Sequence, residues 1–512
     1  GPRYASMLAA YVPPDAVIYA AIPNLGDTLA QASQMFDERA RQSEALREWW
    51  TQERGAQLRQ AMEKVRTFSQ YLGDEIVLTV SPDASGRLRG APVILAEMKR
   101  PGLSDLLATE FKSGPELYTK DNILAISPEA LSLHKAEASI ARPGAFPRTP
   151  FYRRIAQAYE EGAGWLFAAD MEQIVKKSVP PNGLAAVVQN GMNDVRYLVV
   201  ERREKDGQTQ NRAALSFAGQ RHGVAAWLAA PAPMGSLDFV SPGATLAASF
   251  AVKNPVSILQ EVLAANTAFA RNLSEFESAT GVDVVNDLTG SLGGDFTFAF
   301  DGALLPAPSW KLAIEVYDPA RLEASIERLV SAWNQKQPAQ QENLMLANNQ
   351  SGSNTFYTLH GGRLPMEIDY TFNDGYFLAA PSRALLDTAI QNRAAGMTLA
   401  RSTTFQSLLP TDGYTNFSGL VYHNLGTTLQ PLAEQLKATG VLKPADQTSL
   451  DALSANVAPG LIYAYGEPDR IVVASVGSLF DLGLNALAGG GSSALLHRLL
   501  KGALPGRSLS KQ

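Results

Sequence analysis

The sequence contains no cysteine among its 512 residues, and this absence excludes several kinds of chemistry at once. Structural disulfides, thiolate metal sites and a cysteine nucleophile all need the thiol group that the chain lacks. The absence fits an exported bacterial protein, because stray thiols are a liability in an oxidising compartment. It also fits a cytosolic protein that has no cysteine, and of the two we expect export.

The chain also lacks an excess of basic residues and long hydrophobic runs. Lys and Arg number 44 against 50 Asp and Glu, which gives a formal net charge of -6. A dedicated nucleic-acid binder needs a concentrated basic face, so we predict no nucleic-acid partner. No run of roughly 18 or more apolar residues occurs, and the sequence therefore predicts no membrane-spanning helix.

The first residues are Gly1 and Pro2 rather than Met. Such a start is typical of what a protease leaves when it removes a tag. We therefore expect a native N-terminal segment, a signal peptide or a membrane anchor, that is missing from this sequence. The expected location is periplasmic or extracytoplasmic, with the protein held at a membrane by that segment.

The chain contains an internal repeat. Residues 12–22 parallel residues 240–250, since both are a Pro-containing turn that enters an apolar strand. Residues 72–78 parallel residues 292–298 in the same order, and further matches follow up to Leu166 and Leu420. Such self-similarity indicates a duplicated structural unit. We place the first domain at residues 1–235 and the second at residues 236–488.

The two copies differ in length. The second copy is longer between Pro319 and Leu378, and residues 335–354 within it are rich in Gln, Asn and Ser. That composition predicts an inserted exposed loop or lid. Residues 489–512 begin with three glycines and form a tail with basic residues and no acid.

The local pattern of each copy predicts alternating sheets and helices. Apolar and β-branched residues at 17–22, 75–80 and 92–98 predict strands. Apolar residues recur at helical spacing between Leu58 and Leu72, and Pro101 is placed to begin a further helix. The predicted fold class is α+β: two tandem similar domains, each a mainly antiparallel sheet with helices packed on one face.

One stretch carries a resemblance to a known family. Residues 281–288 read Gly-Val-Asp-Val-Val-Asn-Asp-Leu and lead into Leu-Gly-Gly-Asp-Phe at 292–296. Together with a Pro-initiated strand and a long helix, this resembles an uncharacterised bacterial family classed as a domain of unknown function. The resemblance covers most of the chain and implies an exported or membrane-anchored protein with duplicated α+β domains. It implies no catalytic residues.

The familiar catalytic and cofactor signatures are missing or misplaced. Ser132 and Lys135 satisfy the S-x-x-K pattern of penicillin-recognising enzymes, and Tyr414 and Asn416 satisfy Y-x-N. The third element, at His360, precedes Y-x-N on the chain instead of following it, so we interpret these matches as chance. No phosphate-binding loop or nucleophile elbow occurs, and the five histidines lack metal-ligand spacing. We predict no cofactor, metal site or catalytic residue.

Carboxylates offer the remaining catalytic possibility. Asp74 and Glu75 in the first copy and Asp295 in the second stand at equivalent turns between a helix and a strand. Two carboxylates about 5–10 Å apart can act as an acid and base pair in glycan hydrolysis. A structural role, in which the acid is solvated where the strand begins, is the favoured interpretation.

Two segments carry features of partner-binding surfaces. Trp49 and Trp50 lie in a predicted helix, where one of the two would lie at the edge of the core stripe. An exposed Trp can anchor a partner, although more often it only covers the core. The tail has an apolar stripe at helical spacing that would dock on a partner, an anionic membrane or its own domain. Its residues are Leu495, Leu496, Leu499 and Leu500.

Three functions remain open from the sequence. The first is a non-enzymatic cell-envelope protein that binds or scaffolds a protein or envelope component through a surface or groove of its duplicated domains. The second is a carrier of an apolar ligand such as a lipid, enclosed between helices and sheet. The third is a hydrolase that acts on envelope material through carboxylates.

Overall fold

The computed structural model describes residues 2–24, 26, 63–64, 66–87, 90–110, 116–178, 191–205, 207–304, 306–337, 342–438, 440, 447 and 458–477. The chain divides into two compact units, Gly1–Gln220 and Arg221–Gln512. Both combine helices with an antiparallel sheet, so the α+β class predicted from the sequence is confirmed.

The first unit is built on eight described strands. In chain order they are β1 Ile18–Pro23, β2 Leu72–Val80, β3 Val93–Met98, β4 Glu116–Lys120, β5 Ile123–Ser127, β6 Trp165–Asp170, β7 Val195–Lys205 and β8 Gln208–Phe217. All the pairings are antiparallel, and the strands lie in the order β4-β5-β3-β2-β1-β6-β7-β8. The described helices are α1 Leu103–Glu110, α2 Ala130–Ala141, α3 Pro150–Glu160 and α4 Met171–Ser178.

The core of the first unit lies between its sheet and two of its helices. Tyr19, Val77 and Leu95 project from one side of the sheet and pack with residues of α2 and α3. Helix α3 begins where the sequence dictates, since the Thr149 side chain accepts a hydrogen bond from the backbone N–H of Tyr152 and Pro150 opens the first turn. Helix α1 packs on the other side of the sheet through Leu103.

The second unit has ten described strands. They are β9 Leu246–Ala251, β10 Leu292–Phe300, β11 Trp310–Val316, β12 Leu344–Ser351, β13 Asn354–Gly361, β14 Ile368–Asn373, β15 Tyr376–Ala380, β16 Gly419–His423, β17 Gly460–Glu467 and β18 Arg470–Gly477. The order within the unit is β12-β13-β14-β15-β11-β10-β9-β16-β17-β18, antiparallel throughout. The described helices are α5 Pro255–Ala265, α6 Thr267–Thr280, α7 Pro319–Lys336, α8 Arg383–Ala395, α9 Thr403–Ser407 and α10 Gly426–Ala438.

Helices cover both faces of the second sheet. On one face α8 packs its Leu386 against Leu378 of β15. On the other face Glu323 of α7 accepts a hydrogen bond from Tyr370 of β14, whose strand partner is Ala379. The prediction that helices pack on one face is therefore wrong for this unit, and also for the first unit, where α1 lies on the other side of the sheet from α2 and α3. The reason is that successive strand residues are apolar here, so both faces need cover.

The loop predicted at residues 335–354 is wrong over its second half. Leu344–Ser351 is strand β12, paired along its whole length with β13. Its polar residues are compatible with a strand because most of them are exposed. Asn334, in the last turn of α7, holds the start of the hairpin by accepting a hydrogen bond from the Leu344 backbone N–H at 2.7 Å.

Candidate functional site

The two faces of strands β9, β10 and β11 differ in how completely they are covered. Along β9 and β10 buried and partly exposed residues alternate without exception. The completely buried side carries small and polar residues such as Ala247, Ser249 and Thr297. The partly exposed side, which we call the aromatic face, includes Leu246, Ala248, Phe250, Phe296, Phe298, Phe300, Trp310, Leu312 and Ile314.

Phenyl rings dominate the aromatic face. Phe250 and Phe296 are directly paired across β9 and β10, with ring centroids 5.6 Å apart. Phe298 and Phe300 follow along β10 and make an edge contact at 5.3 Å. Large aromatic side chains on a sheet usually contribute by becoming fully buried, each with an area of about 150–250 Å². Here all four rings remain partly exposed.

Helices α5, α6 and α7 form the layer on this side of the sheet. Helix α7 touches Tyr370, which shares a face with Leu312 through the β11–β15–β14 register, and α6 contacts both α5 and α7. Helix α5 also contacts β10, and none of its residues is buried although most of them are apolar. Both α5 and the aromatic face therefore retain partly exposed apolar residues.

The polar side of helix α5 makes specific contacts with the residues around it. The Trp227 indole N–H donates to the Glu261 carboxylate at 2.7 Å, and Lys253 forms an ion pair with the same carboxylate. These contacts lower the pKa of Glu261 against the opposing effect of partial burial. The helix is thus held by charge and hydrogen bonding at Glu261 rather than by a buried apolar stripe.

One end of the aromatic face carries a buried histidine. The strand register aligns Phe300 with Leu246, Leu246 with His423 and His423 with Gly460, so these residues form one row across four strands. His423 is 1% exposed, and neither of its ring nitrogens has a hydrogen-bond partner. Burial lowers the pKa of His423, which favours the neutral imidazole.

Space for this imidazole is provided by Gly460. A methyl group added at Gly460 would come within 2.4 Å of His423 Nε2, so a larger residue there would displace the ring. The next row of the same face runs from Phe298 through Ala248, Val421 and Ile462 to Ser475. Ser475 is 2% exposed and its hydroxyl also has no partner.

The opposite face of the same strands holds a satisfied polar network. Asp295 accepts hydrogen bonds from the Ser236 backbone N–H at 3.0 Å, from the Ser236 hydroxyl and from the Tyr376 hydroxyl at 2.8 Å. Ser236 and Thr297 share a further bond at 2.6 Å, and Thr297 donates to Ser249 at 2.7 Å. Burial and the Asp295 carboxylate raise the pKa of Tyr376. Asp295 thus fastens the segment at Ser236 to the sheet.

The acids of the first unit are also engaged. Glu75 forms an ion pair with Arg3 at 2.7 Å and accepts hydrogen bonds from Ser6 and from Tyr159 at 3.4 Å. Burial raises the pKa of Glu75, and the Ser6 bond and the Arg3 charge oppose this shift. Asp74 is exposed and pairs with Lys99 at 2.8 Å. Each of these acids therefore already has a partner within its own unit.

The remaining candidate motifs do not assemble into a site. Ser132 donates to Glu129 at 2.9 Å, whereas Lys135 pairs with Asp15 at 2.7 Å, so the serine and lysine of the S-x-x-K match are engaged separately. Within the described ranges, no three His, Asp or Glu side chains are grouped so that they could hold a metal ion. No helix in the part of the chain that the structure describes is long and apolar enough to cross a membrane.

The partner-contact residues predicted from the sequence cannot be placed. They are Trp49, Trp50, Leu495, Leu496, Leu499 and Leu500, and all six lie outside the described residues.

The residues of the aromatic face and its polar end were missed by the sequence interpretation. The alternation Phe296-Thr297-Phe298-Ala299-Phe300 is a signal that could have revealed the face, because one side of a strand carries every second residue. His423 and Ser475 had no such signal, since only strand pairing brings them to this face.

Comparison of the whole chain with models of known protein families, with curated proteins and with solved structures finds no match.

Proposed function

We propose that this chain is a non-enzymatic binding protein and that it holds an apolar ligand between the aromatic face and helices α5 and α6. One observation carries the proposal. Four phenyl rings and the mostly apolar residues of α5 remain partly exposed, while the alternate residues of β9 and β10 are buried. Ligand sites in proteins are mostly apolar, with few polar groups.

The free energy available for binding comes from completing this burial. Each 100 Å² of apolar surface removed from water contributes about 2.5 kcal/mol. An alkyl chain of a lipid lying across Phe250, Phe296 and Phe298 would cover surface that the helices leave open. The lipid-carrier hypothesis is thus better supported than hydrolysis, since Glu75 and Asp295 have their hydrogen-bonding capacity engaged in structural contacts.

A second candidate function is docking of a protein partner on α6. Phe269 and Phe276 are 40% and 41% exposed, and Leu273 lies between them at helical spacing. Residues at i, i+4 and i+7 share one helix face, and such a stripe is typical of helix-mediated recognition. This surface would serve the scaffolding role in the cell envelope that the sequence suggests.

We also propose that the two units descend from one duplicated ancestor. Each begins with a strand that pairs with the next long strand and with the strand after the central helices, β1 with β2 and β6, and β9 with β10 and β16. A register shift occurs after the first residue of β2 and after the first residue of β10. This agreement supports a shared architecture, with the β12–β13 hairpin added in the second unit.

The binding proposal is tested with an uncharged fluorescent hydrophobe, N-phenyl-1-naphthylamine, titrated into the purified protein. We expect saturable fluorescence enhancement that a long-chain lipid displaces, and at least a fivefold weaker affinity for Phe298→Ala. Leu131→Ala is the matched control, because Leu131 is a 70% exposed apolar residue of the first unit. Absence of saturable binding, or equal weakening by both variants, would reject the aromatic face as the site.

A further inference from the structure

Strand β12 has one backbone edge that no other described strand covers. Among the described residues β12 pairs only with β13, and the register runs without a shift from Leu344 to Ser351. Every residue of the strand except Leu344 and Leu346 is exposed. An uncovered edge presents a row of backbone N–H and C=O groups with which another strand can pair.

The contact with Asn334 shows which backbone groups face outward. Its side-chain amide accepts a hydrogen bond from the Leu344 N–H at 2.7 Å and donates one to the Leu344 C=O at 2.8 Å, as a neighbouring strand would. In an antiparallel pair, residues that face away from the partner strand alternate with residues that bond to it. The outward residues beyond Leu344 are therefore Leu346, Asn348 and Gln350. Their N–H and C=O groups have no hydrogen-bond partner among the described residues.

The turn of the hairpin gives the same assignment. Ser351 pairs with Asn354 across the two residues Gly352 and Ser353, and Gly352 has a φ of 62°. The residues that flank a two-residue hairpin turn bond to each other. Ser351 therefore directs its backbone groups toward β13, and Gln350 directs its own outward.

Strand β12 also lacks the features that prevent pairing at the edges of natural sheets. Those features are short length, charged side chains, Pro and bulges. The eight residues of β12 include no charged residue and no Pro. By contrast β4, at the end of the strand order in the first unit, has five residues, beginning with Glu116 and ending with Lys120. The second unit therefore ends in a longer edge without charge.

We propose that β12 pairs antiparallel with β12 of a second copy of this chain. A two-fold axis at Asn348 places this residue opposite its own copy and Leu346 opposite Gln350, so that every outward residue is paired. The Asn334 amide ends the pairing at Leu344. A second copy is favoured because the Asn348 amide both donates and accepts, and because no like charges meet along the strand. The dimer does not depend on the proposed apolar ligand.

Sedimentation velocity of the full chain over a series of concentrations tests the dimer. We expect a reversible monomer–dimer equilibrium that Asn348→Lys weakens roughly tenfold or more, because each lysine would lie opposite its own copy. Asn348 is exposed, so the circular dichroism of this variant should be unchanged. Thr119→Lys on β4 is the matched control. It adds the same charge at an exposed position and should dimerise as the unmodified chain does.

The absence of cysteine from the chain allows a direct test of the register. Opposed residues of a hydrogen-bonded antiparallel pair have Cα atoms about 5.5 Å apart, which a disulfide can span. We therefore expect mild oxidation to cross-link two copies of Asn348→Cys. In the same register the two copies of residue 351 lie about 20 Å apart, at roughly 3.4 Å per residue. Ser351→Cys should therefore cross-link roughly tenfold more slowly.

A monomer at every concentration would overturn the inference, whether a strand of another protein or a further segment of this chain occupies the edge instead. A dimer that Asn348→Lys leaves intact would also overturn it, because the contact would then lie on another surface such as α6. Equal cross-linking of Asn348→Cys and Ser351→Cys would reject pairing with the axis at Asn348.

Discussion

The two faces of strands β9, β10 and β11 differ in the residues they carry and in how completely those residues are buried. One face is fully buried and combines small residues with a polar network in which Ser236 and Tyr376 satisfy Asp295. The other face carries the larger aromatic residues, yet these remain partly exposed, and α5 and α6 on that side contain no buried residue. The comparison shows that the face with the larger side chains is not always the one that forms the core. Which face is buried depends on how completely the neighbouring segments cover it.

The largest effect should come from breaking the buried ion pair on the closed face. Lys311 lies 2.9 Å from Asp301 and also donates to the Phe239 carbonyl, with both charges almost fully buried. We expect Asp301→Ala to lower the free energy of unfolding by about 3–5 kcal/mol, because it leaves an unpaired buried lysine. Urea unfolding checks this value. The double variant Asp301→Leu with Lys311→Met should recover most of the loss, and a loss as large as that of the single variant would contradict the explanation.

Substitution of a large apolar residue by Ala should lower the free energy of unfolding by a different amount on each of the two faces. Leu378 is 0% exposed, and we expect Leu378→Ala to cost about 2–5 kcal/mol of unfolding free energy. Phe298→Ala should cost about 1–1.5 kcal/mol, near half of what full burial of such a ring contributes. Equal losses in urea unfolding would mean that the aromatic face is as tightly packed as the closed one.

The stability of the second unit should depend on pH through Glu323 of α7, on the same side of the sheet as the aromatic face. Glu323 accepts a hydrogen bond from Tyr370 at 3.2 Å, and burial raises the pKa of Glu323 to about 7. The folded state therefore holds this proton more tightly than the unfolded chain, whose glutamate pKa is about 4.3. Stability contributed by the protonated form is complete below about pH 4.3 and is lost as the pH rises through 7.

The variant Glu323→Gln isolates this contribution. We expect its Tm to fall less than that of the unmodified protein between pH 5 and pH 8, as measured by circular dichroism. Glu275→Gln on α6 is the control, since Glu275 is exposed and should follow the unmodified protein. Parallel curves for all three proteins would show that Glu323 titrates normally.

The smallest effect should come from the exposed stripe of α6. Phe269 is 40% exposed, and substitutions at such positions usually change stability by less than about 0.5 kcal/mol. We expect Phe269→Ser to leave urea unfolding and probe binding unchanged. A destabilisation of more than about 2 kcal/mol would show that the phenyl ring is part of the core, and would remove α6 as a candidate docking surface.

Much of the fold is predictable from local sequence because its signals are local. Thr149 and Pro150 define the start of α3, and alternating residues define β10. Strand β12 was mistaken for part of a loop, because Asn348, Asn349 and Gln350 resemble a loop composition. Pairing with β13 gives their backbone the hydrogen bonds of a strand.

The candidate site was less accessible to sequence reasoning. His423 seemed one of five scattered histidines, and its position beside Leu246 and Gly460 follows from pairing between segments far apart in the chain. Its lack of a partner is a property of the surrounding space, which no spacing rule encodes. Asp295 was noticed as an acid at a turn, but its three hydrogen bonds require Ser236 and Tyr376, which are distant in sequence.

Because residues alternate strictly along β10, a change of its register with β9 by one residue would move every β10 side chain to the opposite face of the sheet. A slip of one residue would turn Phe296, Phe298 and Phe300 into the space now filled by alanine, serine and threonine, and would expel Asp295 toward the helices. Asp295 would then lose all of its hydrogen-bond donors. The slipped register would therefore be less stable than the observed one. The sheet can thus keep an apolar, incompletely covered face, because the register slip that would bury this face is unfavourable.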